Sequence, residues 1–531
     1  MPPKIRPQRP LVMGTKYAIT ADHPLAVRAG AAVLEAGGNA VDAAIAANLV
    51  LTVVRPHMCG PGGDLFALVY MGDTGRVDAL NASGRSPYAA DASLYRSRGF
   101  NTVPETGILT VTVPGAMDGW QALLDRFGTR TLADLCPWAV EYARNGFPMY
   151  GELRDALAER RHLFSDEAAR VLTPDSLIPE IGERLRQPEL AESIQMLADQ
   201  GPAAFYSGPL GQALVDFSQQ QGGLFTMRDL ADHSHTMVEP IRTTYRGYDF
   251  LTLPPNSQGM ALLMQANILE NFDLAQMAYG SGELLELMVG AKRLAFMDRN
   301  RYVCDPDFKP APLDRLLSKT YARDLADQLK QSHPNVPLAP GHTLGGEDTI
   351  YLAVVDQYGN AISLIQSLYE FFGSCSMVPG TGMLLHNRGR GFTLDPDHPN
   401  CLEPHKRPYH TLHCAMVLDR DRPWLVLGSP GADGQTQTIT QLATSVIDFA
   451  LDPQQAVDAP RWRDNPDGSL MIEGRFGIET AAYLESKGIN VQMLADWDGV
   501  MGSAQIIRMD RQNNVIAAGA DPRRQAYALA G

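Results

Sequence analysis

The chain is predicted to fold as α+β, on three observations. Helical periodicity dominates residues 115–235, a hairpin signal of two β-prone runs begins at Thr349, and a polar, unpatterned segment precedes it. At 531 residues the chain exceeds one ordinary domain, so one large layered core or two closely joined halves is expected. A composition of 45% hydrophobic and 20% charged residues supports a sizeable interior, and 48 Gly and 37 Pro imply many turns.

Taken in order, residues 23–36 place apolar side chains at helical spacing. Gly37-Gly38 stops the run, and Asn39 caps a second, alanine-rich helix that packs closely on the first. The apolar stretch over residues 40–54 is broken by Asp42 and Asn48 and falls short of the roughly 18–20 residues of a membrane span, so it reads as a buried helix. Residues 55–64 form a glycine-rich turn ahead of a short strand at 65–70. Its spacing fits neither the Walker pattern nor the dinucleotide fingerprint, which favours a structural turn over a phosphate cradle. Amphipathic helices are expected at 120–127 and 190–197, and another helix at 282–300. Residues 332–348, rich in Pro and Gly and without periodicity, read as an exposed linker. The β-prone runs 349–356 and 361–369 flank the turn signal Gln357-Tyr-Gly-Asn360. A turn centred on Tyr358-Gly359 sets Ser367 beside Thr349 at the hairpin's open end.

A formal net charge of -15 with dispersed Lys and Arg argues against nucleic acid and anionic membrane as partners. The six cysteines form no Cys-x-x-Cys pair and no short spacing to histidine, so they are expected as reduced, buried thiols. The basic N-terminus is not followed by an apolar segment of signal-peptide length, and a cytoplasmic location is expected.

A threonine opening a strand is ordinary in itself, because β-branched residues suit strands. Residues 348–360, however, resemble the start of the small subunit in the gamma-glutamyltransferase family of N-terminal-nucleophile hydrolases. Residues 37–44, 56–63, 113–115, 372–373, 378–385, 406–408, 428–431, 457–461 and 521–523 agree with that family in order and spacing, so the resemblance covers nearly the whole chain. It implies a four-layer αββα sandwich with two central antiparallel sheets. It also implies self-cleavage between Asp348 and Thr349, giving a large fragment 1–348 and a small fragment 349–531 that stay together as a heterodimer or a dimer of heterodimers. Thr349 would then supply the nucleophilic hydroxyl, with its freed α-amine as base, and neither cofactor nor metal is required. Ser367 matches a family threonine that hydrogen-bonds the nucleophile; a plain strand serine is the other reading. Gly431 matches the first of two glycines whose N–H groups form the oxyanion hole, and Ala432 replaces the second while keeping a backbone donor. A simple turn glycine is the alternative for Gly431.

The family grips both the α-carboxylate and the α-amine of a γ-glutamyl donor, and this sequence departs at those positions. The carboxylate-binding arginine aligns across a gap with Asn81, and adjoining serines become His410 and Thr411. The amine-binding pair becomes Arg388 and Gly391, and a neighbouring asparagine becomes Tyr369. A guanidinium where an ammonium used to sit repels an amine and attracts a carboxylate. The expected substrate is therefore a small acidic amide without the amine, like those of the family's oxamate- and glutaryl-cleaving branches. Arg388-Gly-Arg390 also reads as a solvated loop. The nearby histidines 405, 410 and 413 lack a carboxylate or thiolate at metal-ligand spacing, and His410 reads better as a donor in the pocket wall. Two other functions stay open: γ-glutamyl transfer with altered donor recognition, and an uncut, catalytically silent relative acting as a binding protein.

Overall fold

The computed structural model describes Ile5, residues 7–331 and residues 348–531. The linker expected at 332–348 lies outside the described residues except for Asp348, which already belongs to the following strand.

Two seven-stranded sheets form the centre. Fourteen strands contribute: β1 Val12–Gly14, β2 Ala18–Ala21, β3 Asp64–Met71, β4 Arg76–Ala82, β5 Thr236–Val238, β6 Ile241–Tyr245, β7 Tyr248–Thr252, β8 Asp348–Val355, β9 Ala361–Tyr369, β10 Ala415–Asp419, β11 Arg422–Gly428, β12 Gln505–Asp510, β13 Val515–Ala520 and β14 Tyr527–Ala530. The first sheet has the order β14-β2-β8-β9-β3-β4-β5 and the second β1-β13-β12-β11-β10-β7-β6, with antiparallel pairing throughout.

Side-chain alternation along β8 explains the layering. Ile350, Leu352 and Val354 point to one core, shared with α1 (Pro24–Glu35), α2 (Ala40–Val54) and the helices of the 115–235 region. Tyr351, Ala353 and Val355 point to another, filled by Phe66, Leu68, Met416, Val426 and Ile507, which lies between the two sheets. A third core covers the outer face of the second sheet with α3 (Gly259–Leu269), α4 (Gly282–Tyr302) and α5 (Gly434–Ile447). These are the four αββα layers.

His23 caps α1 through Nδ1, which accepts the Leu25 N–H at 3.2 Å, and Asn39 with Asp42 forms a capping box on α2. The helices pack at backbone distance, since a Cβ on Gly30 would stand 2.9 Å from the Ala43 carbonyl oxygen. All six cysteines are free and buried. Among the described residues no helix is long and apolar enough to cross a membrane.

The hairpin turn centres on Tyr358 alone, with Val355 opposite Ala361 and Ile350 opposite Gln366. A register shift between Asp348 and Ile350 then brings Asp348 opposite Tyr369. Seven of these fourteen strands precede β8, spread more thinly over the longer part of the chain, and the other seven crowd into residues 348–531. Those at the sheet margins, β1, β5 and β6, are three to five residues long and carry too little alternation to stand out.

Candidate active site

Thr349 is the second residue of β8, the strand between β2 and β9, at one end of the layer between the sheets. Its side chain is buried, and its hydroxyl donates to Ser367 Oγ at 3.1 Å. The same Ser367 oxygen accepts the Tyr369 N–H at 2.7 Å. Tyr369 adopts φ +85°, a conformation that costs a residue with a Cβ about 1–3 kcal/mol. This conformation accompanies the bond from the Tyr369 N–H back to Ser367. Ser367 in turn faces Asp64 across the β9–β3 pair.

On the facing sheet, β11 ends at Gly428, where a Cβ would lie 2.2 Å from the Tyr351 ring, two residues along from Thr349. The chain then turns through Gly431 at φ +128° and Ala432 at φ +46° into α5. Among the described residues the N–H groups of Gly431 and Ala432 have no acceptor. The turn is held from below by Gln258, a residue the sequence reading did not single out. Gln258 Nε2 donates to the carbonyls of Ala432 at 3.0 Å and Thr411 at 2.7 Å. Its Oε1 accepts from Arg299 and Tyr409, and Arg299 pairs with Asp433 at 2.6 Å.

Arg388 is buried, which removes the solvated-loop reading for this residue. Its guanidinium carbon sits 3.9 Å above the Tyr369 ring centroid, and Nη1 donates to Thr411 Oγ1 at 3.2 Å. Nε and Nη2 are buried without a partner among the described residues. Burial pulls its pKa down to about 10, so it stays charged at neutral pH. The neighbouring carboxylates are committed elsewhere. Glu370 takes Arg390 and Asn387, while Asp64 takes His410 Nε2 at 3.1 Å, the Gly84 N–H, and His386 Nδ1 at 3.3 Å. Burial works to raise the Asp64 pKa, but His386 and His410 outweigh it and hold the carboxyl below the ordinary range.

Two residues expected as substrate contacts are held by other residues of the chain. His410 is buried with both ring nitrogens engaged, Nε2 on Asp64 and Nδ1 accepting the Leu412 N–H at 3.2 Å. Burial and then the charge of Arg388 lower its pKa to about 3. It is a neutral strut between the sheets and has no donor left for a ligand. Asn81 sits on β4 with Nδ2 donating to Asn256 and Oδ1 accepting from Ser83, so its carboxamide props the wall behind His410. Gly391 is a close-packing position, where a Cβ would stand 2.6 Å from the Tyr409 carbonyl oxygen. The histidines of the 405–413 cluster face different partners: His405 stacks on Tyr88, and His413 Nδ1 lies 3.3 Å from the Thr411 carbonyl oxygen.

The gamma-glutamyltranspeptidase family model matches residues 26–531. The chain is 40% identical over 527 residues to a glutathione hydrolase-like YwrD proenzyme of Bacillus subtilis, covering 98% of this chain and 99% of that one. It is 33% identical to an oxamate amidohydrolase proenzyme of Klebsiella pneumoniae, covering 97% and 98%. Among solved structures, a cephalosporin acylase from Bacillus halodurans superposes with a TM-score of 0.91 at 34% identity, over 100% of this chain and 98% of that one. The chain therefore belongs to the gamma-glutamyltranspeptidase family of N-terminal-nucleophile hydrolases, self-processing enzymes that act on amide bonds.

Proposed function

We propose that this protein cuts its own backbone between Asp348 and Thr349 and then hydrolyses a small amide whose acyl part carries a free carboxylate. In the precursor, Thr349 Oγ1 attacks the Asp348 carbonyl carbon. The backbone nitrogen leaves with a proton, the amide becomes an ester, and water cleaves the ester to free the Asp348 carboxylate and the Thr349 α-amine. An α-amine has an ordinary pKa near 8, so a useful share is neutral at neutral pH and takes the proton of its own hydroxyl.

Catalysis repeats that chemistry on the substrate. Thr349 Oγ1 attacks the amide carbon, with Ser367 orienting the hydroxyl, and the N–H groups of Gly431 and Ala432 receive the oxyanion. The protonated α-amine returns its proton to the departing amine, and water then releases the acid from the acyl ester. No side chain beyond these is required.

The observation that carries the substrate class is Arg388. A buried guanidinium with two uncommitted nitrogens and no carboxylate partner among the described residues is costly, and a substrate carboxylate relieves that cost with bidentate geometry. An α-ammonium placed beside it meets repulsion. The oxamate amidohydrolase relative supports an acidic acyl group, whereas the glutathione hydrolase-like relative favours glutathione. Incubating the enzyme with oxamate, glutaryl amides and glutathione in parallel, and following released ammonia or amine, separates these readings. Turnover of oxamate or a glutaryl amide above glutathione is expected; glutathione as the best substrate by a wide margin would refute the role given to Arg388.

A further inference from the structure

Asp22 follows β2 and is completely buried, yet no step of the reaction uses it. Its Oδ2 accepts the Tyr351 N–H at 3.0 Å, in the strand that carries Thr349. Its Oδ1 accepts Ser503 Oγ at 2.6 Å and Gln505 Nε2 at 3.0 Å, both from the other sheet's side. One carboxylate thus ties the two sheets together beside the nucleophile.

The tie reaches further. Gly502, next to Ser503, lies so close to the turn after β11 that a Cβ on it would stand 2.8 Å from both the Pro430 carbonyl oxygen and Ser429 Oγ. The loop carrying Gly502 is itself anchored, with Arg461, Arg463 and Arg524 donating to the carbonyls of Met501, Val500 and Gly499, and Asp521 accepting the Ala504 N–H. It follows that the path Thr349, Tyr351, Asp22, Ser503, Gly502, Pro430 ends one residue before Gly431. Burial pushes the Asp22 pKa up to about 6, against the opposing charges of Arg55 and Arg524.

We propose that Asp22 is a positioning residue that fixes the oxyanion turn Pro430–Ala432 relative to the Thr349 hydroxyl. This rests on Thr349 being the nucleophile. The oxyanion donors are backbone groups with no side-chain freedom, so their placement is that of the turn itself, and a misplacement of about 1 Å costs on the order of a hundredfold in rate. Asp22 stands on the β2 flank of Thr349, whereas Arg388 stacks on Tyr369 of β9 on the opposite flank. Oxyanion placement and substrate grip are therefore separable in kinetics.

The test compares wild type, Asp22→Asn and Ser503→Ala as full-length chains, using glutaryl-p-nitroanilide and oxamate as probes. Rates are normalised to active sites counted by the acylation burst. Asp22→Asn should lower kcat about tenfold to a hundredfold with KM within about threefold. Ser503→Ala, which deletes only the shortest bond, should lower kcat about threefold to tenfold and carries the test alone if Asp22→Asn does not accumulate. Unchanged kcat per active site in the variants, or a change confined to KM, overturns the proposal. Sequencing the N-terminus of the small fragment distinguishes the two levels of failure. A wild-type start elsewhere than Thr349 overturns the nucleophile reading together with this proposal, whereas a start at Thr349 with unchanged variant kcat overturns the role of Asp22 alone.

Discussion

Arg388 concentrates the conflict between folding and binding. Its charge is buried over Tyr369 with one hydrogen bond to Thr411, and two of its nitrogens are left without partners among the described residues. Replacing it with an apolar chain of similar length removes that desolvation cost, so Arg388→Met should stabilise the fold by about 1–3 kcal/mol in urea denaturation. The same change should raise KM for an acidic amide about tenfold to a hundredfold, the loss of charge-assisted hydrogen bonds worth about 1.5–3 kcal/mol. A less stable variant with unchanged KM would contradict the assignment. Thr349 and Ser367 were visible in the sequence because hydroxyl residues stand at positions that match the family, and Arg388 because it departs from the family's residue at its position. The partners of His410 and Asn81 were not legible, because a polar residue at an aligned position does not reveal what else it touches. Asp64, Gln258 and Asp22 left no local signal: each acts through partners more than a hundred residues away, such as His410 for Asp64, Thr411 for Gln258 and Tyr351 for Asp22.

At the scale of elements, the meeting of β8 and β11 governs the site. Gly428 faces the Tyr351 ring so closely that no side chain fits, and this contact brings the end of β11 against the strand that carries Thr349. Gly428→Ala should force the sheets apart locally and cost about 1–3 kcal/mol of stability, with a parallel fall in kcat, as read by urea midpoint and steady-state kinetics. Unaltered stability and kcat would mean that the sheets accommodate the methyl elsewhere. The hairpin was legible because β-branched runs flank a turn signal, and α1 and α2 because Gly37-Gly38 and Asn39 punctuate them. Sheet order was not legible: the central neighbours β2, β8, β9 and β3 combine strands from residues 18 to 369, and their pairing follows from burial of two faces, which a local pattern does not encode.

For the whole molecule, the sheets interleave the two sides of the Asp348–Thr349 bond. β2 pairs with β8 and β14, β3 with β9, β1 with β13 and β7 with β10, so a cut chain remains one particle. The buried histidines set its response to acid. Burial lowers His23 and His410 to about 3 and His57 and His413 to about 4, against about 6.5 when unfolded. Between those values the unfolded chain binds more protons, so stability falls as pH drops from about 6.5 toward 4, by up to about 1.4 kcal/mol per pH unit for each histidine. Asp22, raised to about 6 by burial, has the opposite sign between about pH 6 and 4 and offsets one of the four. Urea denaturation of the uncut Thr349→Ala chain should show this loss, and a flat profile would contradict the neutral buried histidines. Mass spectrometry of the small fragment, after rapid quenching during turnover of an acidic amide, tests the nucleophile assigned to Thr349 at the covalent intermediate itself. A fragment beginning at Thr349 and carrying one acyl group on that residue, absent in Thr349→Ala, is expected; an active chain that remains uncut, or an acyl group on any other residue, would contradict a threonine nucleophile at 349.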